Sequence, residues 1–166
     1  MLSLTSLNLN NNFLSKKPDV SQDCLKNCNE LSELHLQHNE LTENDLTWMN
    51  LAQFKKLKKL DLSANKFSNI PYATLKDLKN MTSLKITVNE RKFSMPDSAS
   101  KELWPKLVYL DLSGSTIGNI GSDSFELIST NLHELILQRS EIDEINADAF
   151  GKLDSLILVN KMIYIF

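Results

Sequence analysis

Leu57-Lys58-Lys59-Leu60-Asp61-Leu62-Ser63-Ala64-Asn65-Lys66-Phe67 reads as a short strand that runs into a buried turn. Side chains alternate across a strand, so Leu60 and Leu62 share one face while Lys59, Asp61 and Ser63 share the other. Asn65, in the ninth place, carries a carbonyl acceptor and two amide donors. It stands where the chain leaves the strand and backbone groups need partners.

Five further stretches carry this spacing. They are Leu4-x-x-Leu7-x-Leu9-x-x-Asn12-x-Leu14, Leu31-x-x-Leu34-x-Leu36-x-x-Asn39-x-Leu41 and Met81-x-x-Leu84-x-Ile86-x-x-Asn89. Leu107-x-x-Leu110-x-Leu112-x-x-Ser115-x-Ile117 and Leu132-x-x-Leu135-x-Leu137-x-x-Ser140-x-Ile142 follow. Starts at 4, 31, 57, 81, 107 and 132 give steps of 27, 26, 24, 26 and 25 residues. A period of this kind marks a stacked array, in which each unit buries its apolar face only against its neighbours. Ser115 and Ser140 keep a hydroxyl where the others have an amide, and their shorter reach predicts looser last turns.

The variable half of each unit has its own apolar residues. Ile70-Pro71 with Leu75 and Leu78, Ile120 with Phe125 and Ile128, and Ile145 with Phe150 and Leu153 are predicted to close the far side of the core as short helical or irregular turns. Thr42-Glu43-Asn44-Asp45-Leu46 predicts a capped, more helical connection. The stretch from Asn89 to Lys106 fits least well: Met95-Pro96 is displaced by one residue, and Trp104-Pro105 replaces an ordinary leucine. It reads as a bulging rim loop or as a merely irregular repeat. After Leu153 the pattern decays, and 154–166 is expected to be an irregular tail.

Across residues 4–153 the chain resembles the leucine-rich-repeat superfamily, whose periods run roughly 20–29 residues. The resemblance implies a single α/β domain over 1–166. It would be a curved horseshoe segment with a parallel β-sheet on the concave face and short helices or turns on the convex face. Lys59 to Pro71, Trp104 to Ser113 and Ala147-Asp148-Ala149-Phe150 are similar to the typical extracellular class, and among its members to Toll-like receptor ectodomains. This implies a non-catalytic protein-binding module of a cell-surface, innate-immune receptor with a protein or microbial ligand. Such receptors carry a signal peptide, cysteine-rich caps, a transmembrane helix and a signalling domain, and none is visible in the sequence. A fragment of a longer extracellular receptor is therefore expected. The alternative is a cytoplasmic leucine-rich-repeat scaffold or regulatory subunit.

In such a fold the strand residues that avoid the core face the ligand. The phase nominates His35, Gln37, Lys59, Asp61, Lys85, Tyr109, Asp111, His133, Gln138 and Arg139. Tyr109 and Arg139 are of the types most enriched at binding hot spots. The column Asn8, His35, Asp61, Lys85, Asp111, Ile136 would set two aspartates on either side of a lysine, as a charge ladder. It reads either as a recognition surface or as a face kept soluble by mixed charge. Asn80-Met81-Thr82 is a sequon, making Asn80 a glycosylation candidate in an exported chain.

Bulk properties narrow the rest. The chain has 166 residues, 42% of them hydrophobic and 23% charged, which suits a folded soluble domain. A net charge of −3 does not suit nucleic acid as the main partner. No apolar run is long enough to span a bilayer, and no basic, apolar leader opens the sequence. Cys24 and Cys28 read better as reduced packing residues than as a disulfide. With His35 and His38 they have the wrong spacing for a zinc finger, so no metal site is expected. No phosphate loop, cofactor fingerprint or nucleophile elbow is present, so neither a cofactor nor an enzymatic activity is expected. The Lys55-Lys56-Leu57-Lys58-Lys59 run contains a core leucine and reads as a solvated rim.

Overall fold

The computed structural model describes residues 3–15, 25–89, 103–125, 128 and 130–160. Seven three-residue strands form one parallel sheet: β1 Ser6–Asn8, β2 Glu33–His35, β3 Lys59–Asp61, β4 Ser83–Lys85, β5 Tyr109–Asp111, β7 Glu134–Ile136 and β9 Leu158–Asn160. They stack in chain order and in one register, so that Leu7, Leu34, Leu60, Leu84, Leu110, Leu135 and Val159 lie in a line. This is a solenoid of stacked coils. From the second coil to the sixth, the first, fourth and sixth places are buried, from Leu31, Leu34 and Leu36 through Leu132, Leu135 and Leu137. Each such side chain contributes roughly 1.5–3 kcal/mol. Leu4, Leu7 and Leu9 of the first coil pack against only one neighbour and stay half-exposed.

The strand β9 departs from the irregular tail expected over 154–166 within its described part, 154–160. Leu156 takes the first place of a seventh coil, and its N–H donates to the Leu153 carbonyl (3.0 Å). The second to fifth coils close the same turn, through the carbonyls of Cys28, Phe54, Leu78 and Trp104. The sequence pattern hid the coil because Ile157 and Leu158 are apolar out of phase and Lys161 stands where the sixth-place leucine belongs.

Asparagines join the coils. Asn65 Nδ2 donates to the Leu36, Leu62 and Ser63 carbonyls (2.9, 2.9 and 3.2 Å), and its Oδ1 accepts the N–H groups of Asn39 and Leu41 (2.9 and 3.0 Å). Asn39 repeats this toward the first coil, and Asn89 Oδ1 accepts the Phe67 N–H (3.1 Å). The ladder thins where serine takes over. Ser140 Oγ donates once, to the Leu112 carbonyl (3.2 Å), and the buried Ser115 Oγ has no partner.

The convex side changes character along the stack. After Leu41 it holds the helix α1 (Glu43–Met49), whose first turn is closed by Thr42 N–H and Oγ1, both donating to Asp45 Oδ2 (2.8 and 2.7 Å). After Phe67 it holds the single-turn α2 (Tyr72–Leu75). After Ser115 and Ser140 it is extended: β6 (Thr116–Ile120) pairs in parallel with β8 (Glu141–Ile145), with a register irregularity at Gly118, whose φ is +70°. Turns were expected there. The β-branched run Thr116-Ile117 and the pair Ile142 and Ile145 suit a strand better. Phe125 and Phe150 stack beyond this ribbon (centroids 5.7 Å). Trp104 is fully buried, lies 5.3 Å from the Tyr72 ring at 16°, and donates its indole N–H to the Leu75 carbonyl (3.0 Å). Cys28 is buried with a free thiol, in the slot that Phe54, Leu78 and Trp104 occupy in later coils. Cys24 and the Met95-Pro96 bulge lie outside the described residues.

Candidate functional site

The unburied strand residues form two adjoining depressions on the concave face. The first is lined by His35, Gln37, Lys59, Asp61, Lys85 and Tyr109, all nominated from sequence, together with Glu33 and Ser83. The second is lined by Tyr109, Asp111, Gln138 and Arg139, joined by Val88, Gly114 and others. Tyr109 belongs to both. His133 lines neither, and its Nδ1 lies 2.6 Å from the Asn131 carbonyl oxygen. Asn80, the sequon residue, is half-buried rather than exposed. Its amide N–H donates to the Lys55 carbonyl (2.8 Å), and its Oδ1 accepts from Lys106 Nζ (2.7 Å).

The charge column has the predicted register, with Asp61 opposite Lys85 and Lys85 opposite Asp111. Its pairing differs. Among the described residues Lys85 closes an ion pair with neither aspartate, and its Nζ instead lies over the Tyr109 ring, 5.5 Å from the centroid. The aspartates are engaged by their own turns. Asp61 Oδ1 accepts the Ser63 N–H (3.0 Å), and its Oδ2 accepts from Gln37 Nε2 (2.6 Å). Asp111 Oδ1 accepts both the N–H and the hydroxyl of Ser113 (3.0 and 2.6 Å), and its Oδ2 accepts the Tyr109 hydroxyl (3.2 Å). Each therefore fixes the exit of its strand, as Asn8 does by accepting the Asn10 N–H. On the rim Lys59 pairs with Glu33 (2.8 Å), and that hydrogen bond and charge hold the Glu33 carboxyl below the usual carboxylate range.

The Tyr109 phenol is pushed up to about 12, chiefly by burial and then by the Asp111 charge, its hydrogen bond to Asp111, and the charges of Glu134 and Asp61. Burial also pushes the Tyr72 phenol up. Both phenols hold their protons more tightly in the folded chain than in the unfolded one. The stability linked to Tyr109 is complete below pH 10 and is lost as pH rises toward 12, and that linked to Tyr72 falls in the same direction over a wider range. Thermal melts at pH 9 and pH 11 should show a lower midpoint at the higher pH, and phenolate absorbance should lag that of free tyrosine. Normal titration of both rings would contradict their burial.

One column escaped the sequence. The eighth place of each of the first six coils has positive φ: Asn11 (57°), His38 (54°), Ala64 (53°), Val88 (51°), Gly114 (71°) and Arg139 (53°). Only one of these is glycine, so composition gave no sign of a left-handed turn repeated six times. Asparagine tolerates that conformation; a β-branched valine does not, and holding it there costs roughly 1–3 kcal/mol.

The profile of the family described as Leucine Rich Repeat matches residues 3–28 and 56–78. Pig (Sus scrofa) fibromodulin is 32% identical over 143 residues, which cover 86% of this chain and 90% of that one. The chain belongs to the leucine-rich-repeat family. Among its leucine-rich-repeat relatives, mouse (Mus musculus) CD180 antigen is 28% identical, covering 91% of this chain but 26% of the antigen. Two solved structures share the fold. The Drosophila Toll–Spatzle complex superimposes at a TM-score of 0.63, with 15% identity, over 82% of this chain and 17% of that one. Internalin C2 of Listeria monocytogenes superimposes at 0.54, with 24% identity, over 95% and 70%. No helix among the described residues is long and apolar enough to cross a membrane.

Proposed function

We propose that this leucine-rich-repeat chain is a non-catalytic binding module whose concave face takes a protein or microbial ligand, and that it serves in a cell-surface or secreted receptor of Toll-like kind. The observation that carries the reading is the continuity of the face. Nine of the ten nominated residues line two depressions that meet at Tyr109. A half-buried tyrosine between a cation and a carboxylate offers apolar area and a polar tip at little entropic cost, which is the profile of an interface anchor. Toll, which has the same fold, is seen in complex with Spatzle, and CD180 antigen is a relative by sequence.

A panel of purified extracellular proteins and microbial surface components, screened by biolayer interferometry, tests the reading. A genuine ligand should bind Tyr109→Ala and Arg139→Ala at least tenfold more weakly, while Glu144→Gln on the convex strand β8 leaves binding unchanged. Tyr109→Phe separates loss of the hydroxyl from loss of the ring. Ligands insensitive to every concave substitution would place recognition elsewhere.

A further inference from the structure

Val88 bears two costs at once. Its β-branched side chain is held at a φ of +51°, and it is 61% exposed to water. The turn does not require valine, because an asparagine takes the same place in the first coil with less strain. Strain held at an exposed position points outward, to a contact. The neighbouring coil is matched to it. A Cβ at Gly114 would sit 2.9 Å from Val88 Cγ2, closer than side-chain carbons approach, so only glycine seats the valine methyl, which forms one wall of a notch in the depression. Across the notch stands Arg139 at the same place in the next coil, exposed and with no hydrogen bond or ion pair among the described residues. Two carboxylates line the depression with it and neither pairs with it: Glu134 forms no ion pair among the described residues, and Asp111 is committed to Ser113 and Tyr109. Arg139 is thus a cation with its bidentate face unspent.

We infer that Val88, Gly114 and Arg139 form an anchoring subsite for a partner polypeptide that presents an aliphatic side chain followed by a carboxylate. The aliphatic group fills the notch against Val88 and Ile136, and the carboxylate meets the Arg139 guanidinium. The polar lining from Thr87, Ser113 and Gln138 suits a peptide backbone and leaves no enclosed apolar tunnel for a lipid chain. This assignment rests on the concave-face reading above and narrows it.

The test is an amide chemical-shift titration of the isotope-labelled chain with acetyl-leucyl-aspartyl-methylamide, and with its asparaginyl counterpart as control. The aspartyl peptide should move the amides of Val88, Gly114 and Arg139 and saturate in the millimolar range. The asparaginyl peptide should bind at least fivefold more weakly, and both Val88→Asn and Arg139→Gln should abolish the shifts. Val88→Asn should also raise the thermal midpoint, which loss of a merely structural residue would lower. Absence of shifts at these amides, equal response to the two peptides, or a lowered midpoint for Val88→Asn would overturn the assignment. Shifts confined to His35, Asp61 and Lys85 would also overturn it while leaving the concave face as the binding surface.

Discussion

Replacing Asn65 by alanine should destabilise the chain by about 3–5 kcal/mol, read from urea unfolding followed by the fluorescence of its two tryptophans. The side chain makes five hydrogen bonds across two coils. Its loss would strand the N–H groups of Asn39 and Leu41 in a site where Asn39 is fully buried and water cannot replace the carbonyl. An orphaned buried donor costs roughly 1–3 kcal/mol. Ser115→Ala is the matched control at the same place two coils on. Its hydroxyl is buried without a partner, so its removal should be neutral or slightly stabilising. Equal losses at the two positions would mean that the ladder is not what couples the coils. Against a total stability of roughly 5–15 kcal/mol, the Asn65 change should leave a visibly weakened fold.

Trp104→Ala should cost a similar amount, about 3–5 kcal/mol, by a different route. It empties the largest fully buried side chain, removes the stacking partner of Tyr72, and leaves the Leu75 carbonyl without its indole donor. Trp104→Phe keeps a ring in the slot, as Phe54 does two coils earlier, and should retain most of the stability. Thermal unfolding by circular dichroism would report both. A Trp104→Ala protein as stable as the parent would mean that the slot collapses freely around the vacancy, contrary to the dense packing of the core.

Much of this fold is legible in the sequence, because its period is set by burial. A residue that must enter the core on each of the first six coils leaves a leucine at each step, and the register of six strands follows from aligning Leu7, Leu34, Leu60, Leu84, Leu110 and Leu135. The asparagine ladder was legible for a related reason: only an amide reaches two coils at once. Features that depend on backbone conformation, and not on side-chain identity, stayed hidden. The left-handed eighth place accepts Asn, His, Ala, Val and Arg, so no letter announces it. Asp61 and Asp111 were readable as outward-facing, but their capture by Ser63 and Ser113 two residues on is a matter of turn geometry. Nine nominated residues share the concave depressions because phase alone decides which side chains face outward. Val88 and Gly114 stood in that phase without the charge or aromatic character that singled out the others.

The first four coils are tied by amides, and the fifth and sixth by the extended ribbon of β6 and β8. Ser115 stands where one kind of tie gives way to the other, and its side chain contributes no bond. In an array coupled only through nearest neighbours, cooperativity is limited by the weakest joint. Among the described residues the boundary of the fourth and fifth coils has neither an amide tie nor the ribbon, and it is held by the pairing of β4 with β5 and by Lys85 over Tyr109. A partner seated there would act as a splint, lengthening the stretch of solenoid that melts as one unit.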